Sequence, residues 1–275
     1  MLFRSRNNIT ADQIDDLLLG CAYPEGEQGY NVARLVSFLS GLPDTVPGAT
    51  FNRLCGSSME AIHVATGKIS TGSGNCFLVG GMESMSRVKR RGFNWSPHPG
   101  LEVSYPEAYI NMGITAENVA DKYSINRIRQ EEFALSSHEK SHLAQLEGNF
   151  ENEICPIVHG EETIEFDGCI RPSSNLEAMA GLNPVFKESG TVTAATSSPL
   201  TDGVVFCIIC SESFAIENGL NPIARIVSTS VTGCPPELMG LGPIASSRLC
   251  LERAGWSIKD VDIWELNEEI GRAHV

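Results

Sequence analysis

Phe51-Asn-Arg-Leu-Cys-Gly-Ser-Ser-Met-Glu-Ala-Ile62 changes character half-way along. Ala49, Thr50 and Phe51 lean towards β structure and read as a buried strand end. Gly56, Ser57 and Ser58 form a turn of small residues. Beyond it, Met59, Ile62, His63 and Ile69 recur at roughly helical spacing. Cys55 therefore falls on a strand-to-helix turn, where unpaired backbone N–H groups and the positive end of a helix dipole gather. Such a position favours thiolate over thiol, and suits a nucleophile. A buried, inert cysteine is the competing reading, and local context leaves the two open.

Asn52-Arg-Leu-Cys-Gly-Ser-Ser-Met59 resembles the nucleophile motif of the thiolases, in particular the degradative 3-ketoacyl-CoA thiolases. Further segments resemble the same family in the same order. They are Gly20-Cys-Ala-Tyr-Pro-Glu-Gly-Glu-Gln-Gly-Tyr-Asn-Val-Ala-Arg34, Gly80-Gly-Met-Glu-Ser-Met-Ser86, Met112-Gly-Ile-Thr-Ala-Glu-Asn118, Gly190-Thr-Val-Thr-Ala194, Met239-Gly-Leu-Gly-Pro243 and Glu265-Leu-Asn-Glu268. The resemblance runs from about residue 11 to residue 268.

A net charge of −14 leaves no basic stripe to neutralise phosphates, which argues against a nucleic-acid partner. Lys89-Arg90-Arg91 is the one dense basic cluster, and such runs are usually solvated. Nine cysteines without regular spacing suggest free thiols in a reducing compartment, and a cytoplasmic location is expected. No apolar run reaches membrane-spanning length. Cys207-Ile-Ile-Cys210 has CxxC spacing, but strand geometry would send its sulfurs to opposite faces. His138 and His142 lack a third ligand nearby, so no metal is expected.

In chain order, Thr10 caps a helix start and Asp15–Cys21 reads as a strand. Tyr23–Tyr30 is a Pro/Gly loop. Asn31–Gly41 is a helix with Val32, Leu35, Val36 and Leu39 on one face. A strand then delivers Cys55, a helix runs to Gly72, and Asn75–Val79 is a buried strand ending in a turn at Gly80-Gly81. The βαβ pattern implies an α/β fold, a parallel-rich sheet with helices on both faces. Residues 98–109 look irregular. Thr115–Tyr123 reads as a helix capped by Thr115, and Arg127–Leu146 as a longer amphipathic helix with Phe133, Ala134 and Leu143 to one side. Ile154–Val158 and Thr163–Phe166 form a small hairpin. Val204–Cys210, wholly apolar, reads as a central strand buried on both faces. Ser213–Asn218 is helical. Ala224–Val231, Ala245–Ala254 and Val261–Leu266 read as a second strand–helix–strand copy, which should leave a large apolar surface exposed.

The resemblance implies a layered thiolase-like fold with an inserted loop domain that holds coenzyme A. On that basis 6–84 with 200–219 form an N-terminal half, 85–199 the insert, and 220–268 the start of a C-terminal half. Residues 1–5 and 269–275 resemble translated sequencing adapters, with natural tails as the alternative. The implied reaction is cleavage of 3-ketoacyl-CoA by CoA, in fatty-acid β-oxidation, through an acyl-cysteine on Cys55. Asn267 matches an asparagine that holds a water in an oxyanion hole, although Glu269-Ile270 replaces the family's Ala-Phe after Glu268. A second hole would use the Cys55 amide, and Gly80 and Gly81 bring backbone close to the nucleophile. Ser198, Met112 and Met239 match pantetheine-pocket residues, and Arg171 lies near the family's nucleotide site. Core packing competes for the two methionines and a surface salt bridge for Arg171. The family's catalytic His, in a Gly-His-Pro motif, and its second catalytic Cys have no counterpart in these 275 residues. The expected ligands are acyl-CoA and CoA as substrates, with no other cofactor. The expected partners are further copies in a dimer or tetramer and a hydratase–dehydrogenase subunit. An acetoacetyl-CoA-forming thiolase and a noncatalytic lipid- or CoA-binding subunit are the alternatives.

Overall fold

Alternating apolar runs and small-residue turns in the first hundred residues become strands and crossover helices. In the computed structural model, residues 8–268 are described. The strands are β1 (Asp16–Gly20), β2 (Gly48–Phe51), β3 (Cys76–Ser84), β4 (Ile157–His159), β5 (Glu162–Ile164) and β6 (Asp202–Cys210). The helices are α1 (Val32–Leu39), α2 (Ser57–Ser70), α3 (Pro99–Ser104), α4 (Met112–Tyr123), α5 (Arg127–Leu146), α6 (Leu176–Ala180), α7 (Glu212–Glu217) and α8 (Gly242–Ala254). The chain divides into two units. One takes the chain up to Ser96 plus Leu200–Val227; the other takes Pro97–Pro199 plus the chain from Ser228 onward.

The first unit holds a four-stranded sheet in the order β2-β1-β3-β6. β1 runs parallel to β2 and β3, and β6 runs antiparallel to β3. Side chains alternate across β1. Leu17 and Leu19 join Cys76, Leu78, Val32 and Ala33 on one face, where α1 packs. Leu18 joins Phe77, Val79, Ala61 and Ala65 on the other, under α2. Helices thus cover both faces of the central strands, which is why β1 is apolar at every middle position.

Several expectations need correction here. In α1 the buried side is Val32, Ala33 and Ser37, while Leu39 is 88% exposed and Leu35 also faces outward. Positions 35 and 39 share a stripe with Val32 and Val36, but the buried arc is centred towards Ala33 and Ser37, which leaves Leu35 and Leu39 at its outer edge. β3 does not end at Gly80-Gly81 but runs through them to Ser84 as strand. β6 is an edge strand, not a central one, with Val204 and Val205 both largely exposed. Adjacent strand residues point to opposite faces, so both faces are open at that end of β6. Among the described residues, Ala224–Val231 and Val261–Leu266 form no strand. β-branched and aromatic residues make a strand only where a neighbour offers a ladder. Instead, the Ser228 and Ser230 hydroxyls donate to the carbonyls of Cys250 (2.7 Å) and Ser246 (2.6 Å) on α8. Ile263, Trp264 and Leu266 are exposed.

The second unit is helical, with the exposed β4–β5 hairpin at its surface. Residues 98–109, expected to be irregular, contain α3 and a 3-10 turn at Pro106–Tyr109. α4 starts three residues before Thr115. Its cap is Asn111, whose side chain accepts from the Gly113 amide at 2.8 Å. Thr115 is buried one turn in, its hydroxyl donating to the Met112 carbonyl at 2.6 Å. Ser124, at φ 54°, ends α4, and Asn126 caps α5. α5 buries Gln130, Glu131 and Ala134, while Leu143, expected on the buried side, is exposed. The Arg127 guanidinium donates to the carbonyls of Met179, Ala180 and Leu182, satisfying the C-terminus of α6. The buried Glu117 carboxylate accepts from the amides of Thr191 and Val192 and from the Thr191 hydroxyl.

Candidate active site

Three short structural facts place Cys55. β2 ends at Phe51, Gly56 is the N-cap of α2, and Cys55 stands immediately before that cap. The reversal is tight. Leu54 adopts a left-handed backbone at φ 46°, uncommon for a leucine. Hydrogen bonds hold it there. The Gly56 amide donates to the Arg53 carbonyl at 3.0 Å and the Ser57 amide to the Leu54 carbonyl at 2.9 Å. The Ser57 hydroxyl accepts from the Arg53 amide at 3.0 Å, and the Asn52 side-chain oxygen accepts from the Leu54 amide at 2.9 Å. Cys55 is exposed at the mouth of this turn, beside the first-turn amides of a fourteen-residue helix.

The helix start is pressed onto the sheet at two glycines. Gly20 on β1 and Gly81 on β3 are register partners. A Cβ on Gly20 would lie 2.3 Å from the Ser57 and Ser58 backbone, and one on Gly81 would lie 2.2 Å from the Ser58 hydroxyl. Only hydrogen at both positions lets α2 come this close. Gly80 serves β6 instead, since a Cβ there would meet the Phe206 ring at 2.3 Å. At Gly80-Gly81 the backbone is closely approached by Phe206 and Ser58 respectively, in mid-strand rather than at a turn.

The other cysteines sort themselves by environment. Burial, with the Glu83 charge second, pushes the Cys21 thiol up to about 11. Burial pushes Cys76 up to about 12. Of the exposed cysteines, Cys155 lies in a loop and Cys207 in β6, so Cys55 alone among them stands at a helix start. Arg53, in the turn before α2, pairs with Glu60 on the helix at 2.7 Å, which holds the Glu60 carboxyl below its usual range. His63 lies 3.9 Å from Glu60, and burial lowers its pKa.

The remaining expected site residues lie in the second unit. Met112 opens α4 and is half-buried. Met239 is half-buried in a 3-10 segment, Pro236–Leu241, that packs on α4. There Asn118 donates to the Glu237 carbonyl at 3.0 Å, and Leu238 and Leu241 meet Val119, Ala120 and Ile125. The Ser198 hydroxyl donates to the Glu268 carbonyl at 2.6 Å, next to the exposed Asn267. Arg171 has different partners. Its amide donates to His138 Nδ1 at 3.3 Å, and it lines an open cleft of about 170 Å³ with His138, His142 and Leu146. Among the described residues, no three His, Cys, Asp or Glu side chains gather as a metal site would require. No helix there is long and apolar enough to cross a membrane.

Sequence reading assigned no role to Asn52, Glu83 or Gly20. Asn52 and Gly20 carry visible signals, an Asx-type residue before a tight turn and a glycine at a strand end. Glu83 carries none, because its partners lie about sixty residues away.

Comparison with known proteins accords with this arrangement. Residues 3–213 match the family model described as "Thiolase, N-terminal domain", and residues 220–273 match "Thiolase, C-terminal domain". A 3-ketoacyl-CoA thiolase of Serratia proteamaculans is 45% identical over 272 residues, covering 96% of this chain and 70% of the relative. One from a Marinomonas species is 44% identical over 97% of this chain and 70% of its own length. Among solved structures, human mitochondrial 3-ketoacyl-CoA thiolase superposes with a TM-score of 0.89 at 33% identity, covering 98% of this chain and 72% of that one. A Bacillus anthracis acetyl-CoA acetyltransferase gives 0.87 at 35% identity, covering 99% and 73%.

Proposed function

The chain belongs to the thiolase family, and from that premise we propose that Cys55 is the nucleophile of a 3-ketoacyl-CoA thiolase, an acetyl-CoA C-acyltransferase. The observation that carries this reading is the placement of an exposed sulfur at the start of α2, on a hydrogen-bonded turn seated over Gly20 and Gly81. The Cys55 thiolate attacks the 3-keto carbon of the acyl-CoA. The C2–C3 bond breaks, acetyl-CoA departs as its enolate and takes a proton, and the acyl group stays on sulfur. A second CoA thiol then attacks the thioester and regenerates Cys55. Helix-start amides beside the sulfur stabilise the thiolate and the oxyanion that forms on attack.

Asn267 supplies the second oxyanion contact in this reading, and Ser198, Met112 and Met239 face the pantetheine arm, with Arg171 towards the nucleotide. Coenzyme A is a substrate, and no further cofactor enters the scheme. The domain assignment of the sequence analysis, a cytoplasmic location, a dimer or tetramer, and association with a hydratase–dehydrogenase subunit belong to the same proposal. So does negligible turnover by the 275-residue chain. It spans about 70% of the length of its curated relatives and contains neither the Gly-His-Pro motif nor the second motif cysteine. Acetyl-CoA release from acetoacetyl-CoA and CoA measures this, and rates like those of intact thiolases would refute it.

Iodoacetamide labelling near neutral pH separates the catalytic reading from a noncatalytic CoA-binding one. Cys55 should react well ahead of Cys21 and Cys76, whereas sluggish labelling at Cys55 would favour the binding subunit. The likeness to an acetyl-CoA acetyltransferase supports a second reading, synthesis of acetoacetyl-CoA. The names of the more similar relatives favour degradation.

A further inference from the structure

The turn that aims Cys55 is tied to β3 by a continuous hydrogen-bonded chain. It starts at Glu83, near the end of β3. One carboxylate oxygen accepts from the Ala22 amide at 2.7 Å; the other accepts from the Tyr23 amide at 3.3 Å and the Gln28 side chain at 2.8 Å. Gln28 is buried, donates also to the Tyr23 carbonyl at 3.0 Å, and accepts from the Ser84 amide. The loop that leaves β1 is thereby fixed to β3. The Ala22 carbonyl in turn accepts from the Asn52 side-chain amide at 3.0 Å. The other atom of that side chain accepts from Leu54, the left-handed residue next to Cys55.

A leucine holds a left-handed backbone only where its surroundings over-determine it. Here Asn52 does so from one side and Ser57 from the other. Asn52 is exposed, so without its bond to Ala22 its rotamer would be held by the Leu54 amide alone. Ala22 would likewise lose its place without Glu83. The geometry points to Glu83 and Asn52 as positioning residues for the nucleophile, acting in series through the Ala22 peptide groups on the Cys55 turn. Neither touches the reacting atoms. They fix how the sulfur meets the helix-start amides, and so how far its ionisation is favoured. The inference rests on Cys55 being the nucleophile.

The test is the pH dependence of iodoacetamide alkylation at Cys55 in the full chain, followed by peptide mass mapping. Wild type is compared with Glu83→Gln, Asn52→Ala and the double variant. Leu78→Val, which trims a buried β3 residue away from the turn, reports what stability loss alone does to the rate. Each single variant should raise the midpoint by about half a pH unit or more, which is about a threefold loss of thiolate below the midpoint. The double variant should lose little more than either single, because the two act in one line. Variants titrating like wild type, shifting no more than Leu78→Val, or adding their effects in the double would overturn the series arrangement. A wild-type midpoint at or above the ordinary cysteine value of about 8.5 would instead overturn the nucleophile reading itself.

Discussion

β1 and β6 belong to one sheet, two places apart, and both are apolar through their middle. Every residue of β1 is buried, because it has β2 and β3 at its sides and α1 and α2 above and below. Among the described residues β6 has only β3 beside it, and its first four residues are exposed. Both are apolar runs that open on an aspartate, so the difference in burial follows from their neighbours. A strand read alone tells which residues could be inside; the packing around it decides which are.

The largest expected effect comes from truncating the better-covered strand. Leu18→Ala should destabilise the first unit by about 3 kcal/mol, whereas Val205→Ala on β6 should cost less than about 1 kcal/mol. Urea denaturation of the two variants checks this, and equal losses would break the contrast. Next comes the seat of α2. Gly20→Ala puts a methyl group against the Ser57–Ser58 backbone, and should cost about 1–3 kcal/mol while slowing Cys55 alkylation. Retained stability with full reactivity would mean the helix start does not depend on that contact.

A smaller effect concerns buried thiols on the central strands. Cys76, on β3, and Cys21, just past β1, keep their protons up to about 12 and about 11, well above the ordinary thiol range. A raised folded-state value favours the native state fully below pH 9. That contribution disappears as pH climbs through 11 to 12. Melting temperature should therefore fall over this range, and Cys76→Ala should flatten the fall. The smallest effect is at His63, whose pKa burial lowers despite the Glu60 charge. The unfolded chain takes up that proton first, so stability should decline modestly as pH drops below 6.5, and His63→Asn should remove part of the slope.

The three parallel strands and their crossover helices were legible because apolar runs of strand length alternate with small-residue turns and helical spacing. The place of β6 was not, since an apolar run does not say how many strands flank it. The segments 224–231 and 261–266 have strand composition without a ladder to join. The Cys55 turn could be found from Gly56-Ser57-Ser58 alone. The role of Gly81 could be read only as close approach, because register, not spacing, sets it opposite Gly20. The Glu83 network was not legible from spacing, for two of its partners are backbone amides, which ask nothing of their side chains, and the third, Gln28, lies 55 residues away in the chain.

Leu54 has one more implication. Glycine at this position would relieve the backbone and shrink an exposed apolar side chain, so protein engineers screening for heat resistance would be expected to select it. Such a protein would be sturdier and yet less sharply aimed, since a freely rotating hinge would replace a braced one directly beside the sulfur.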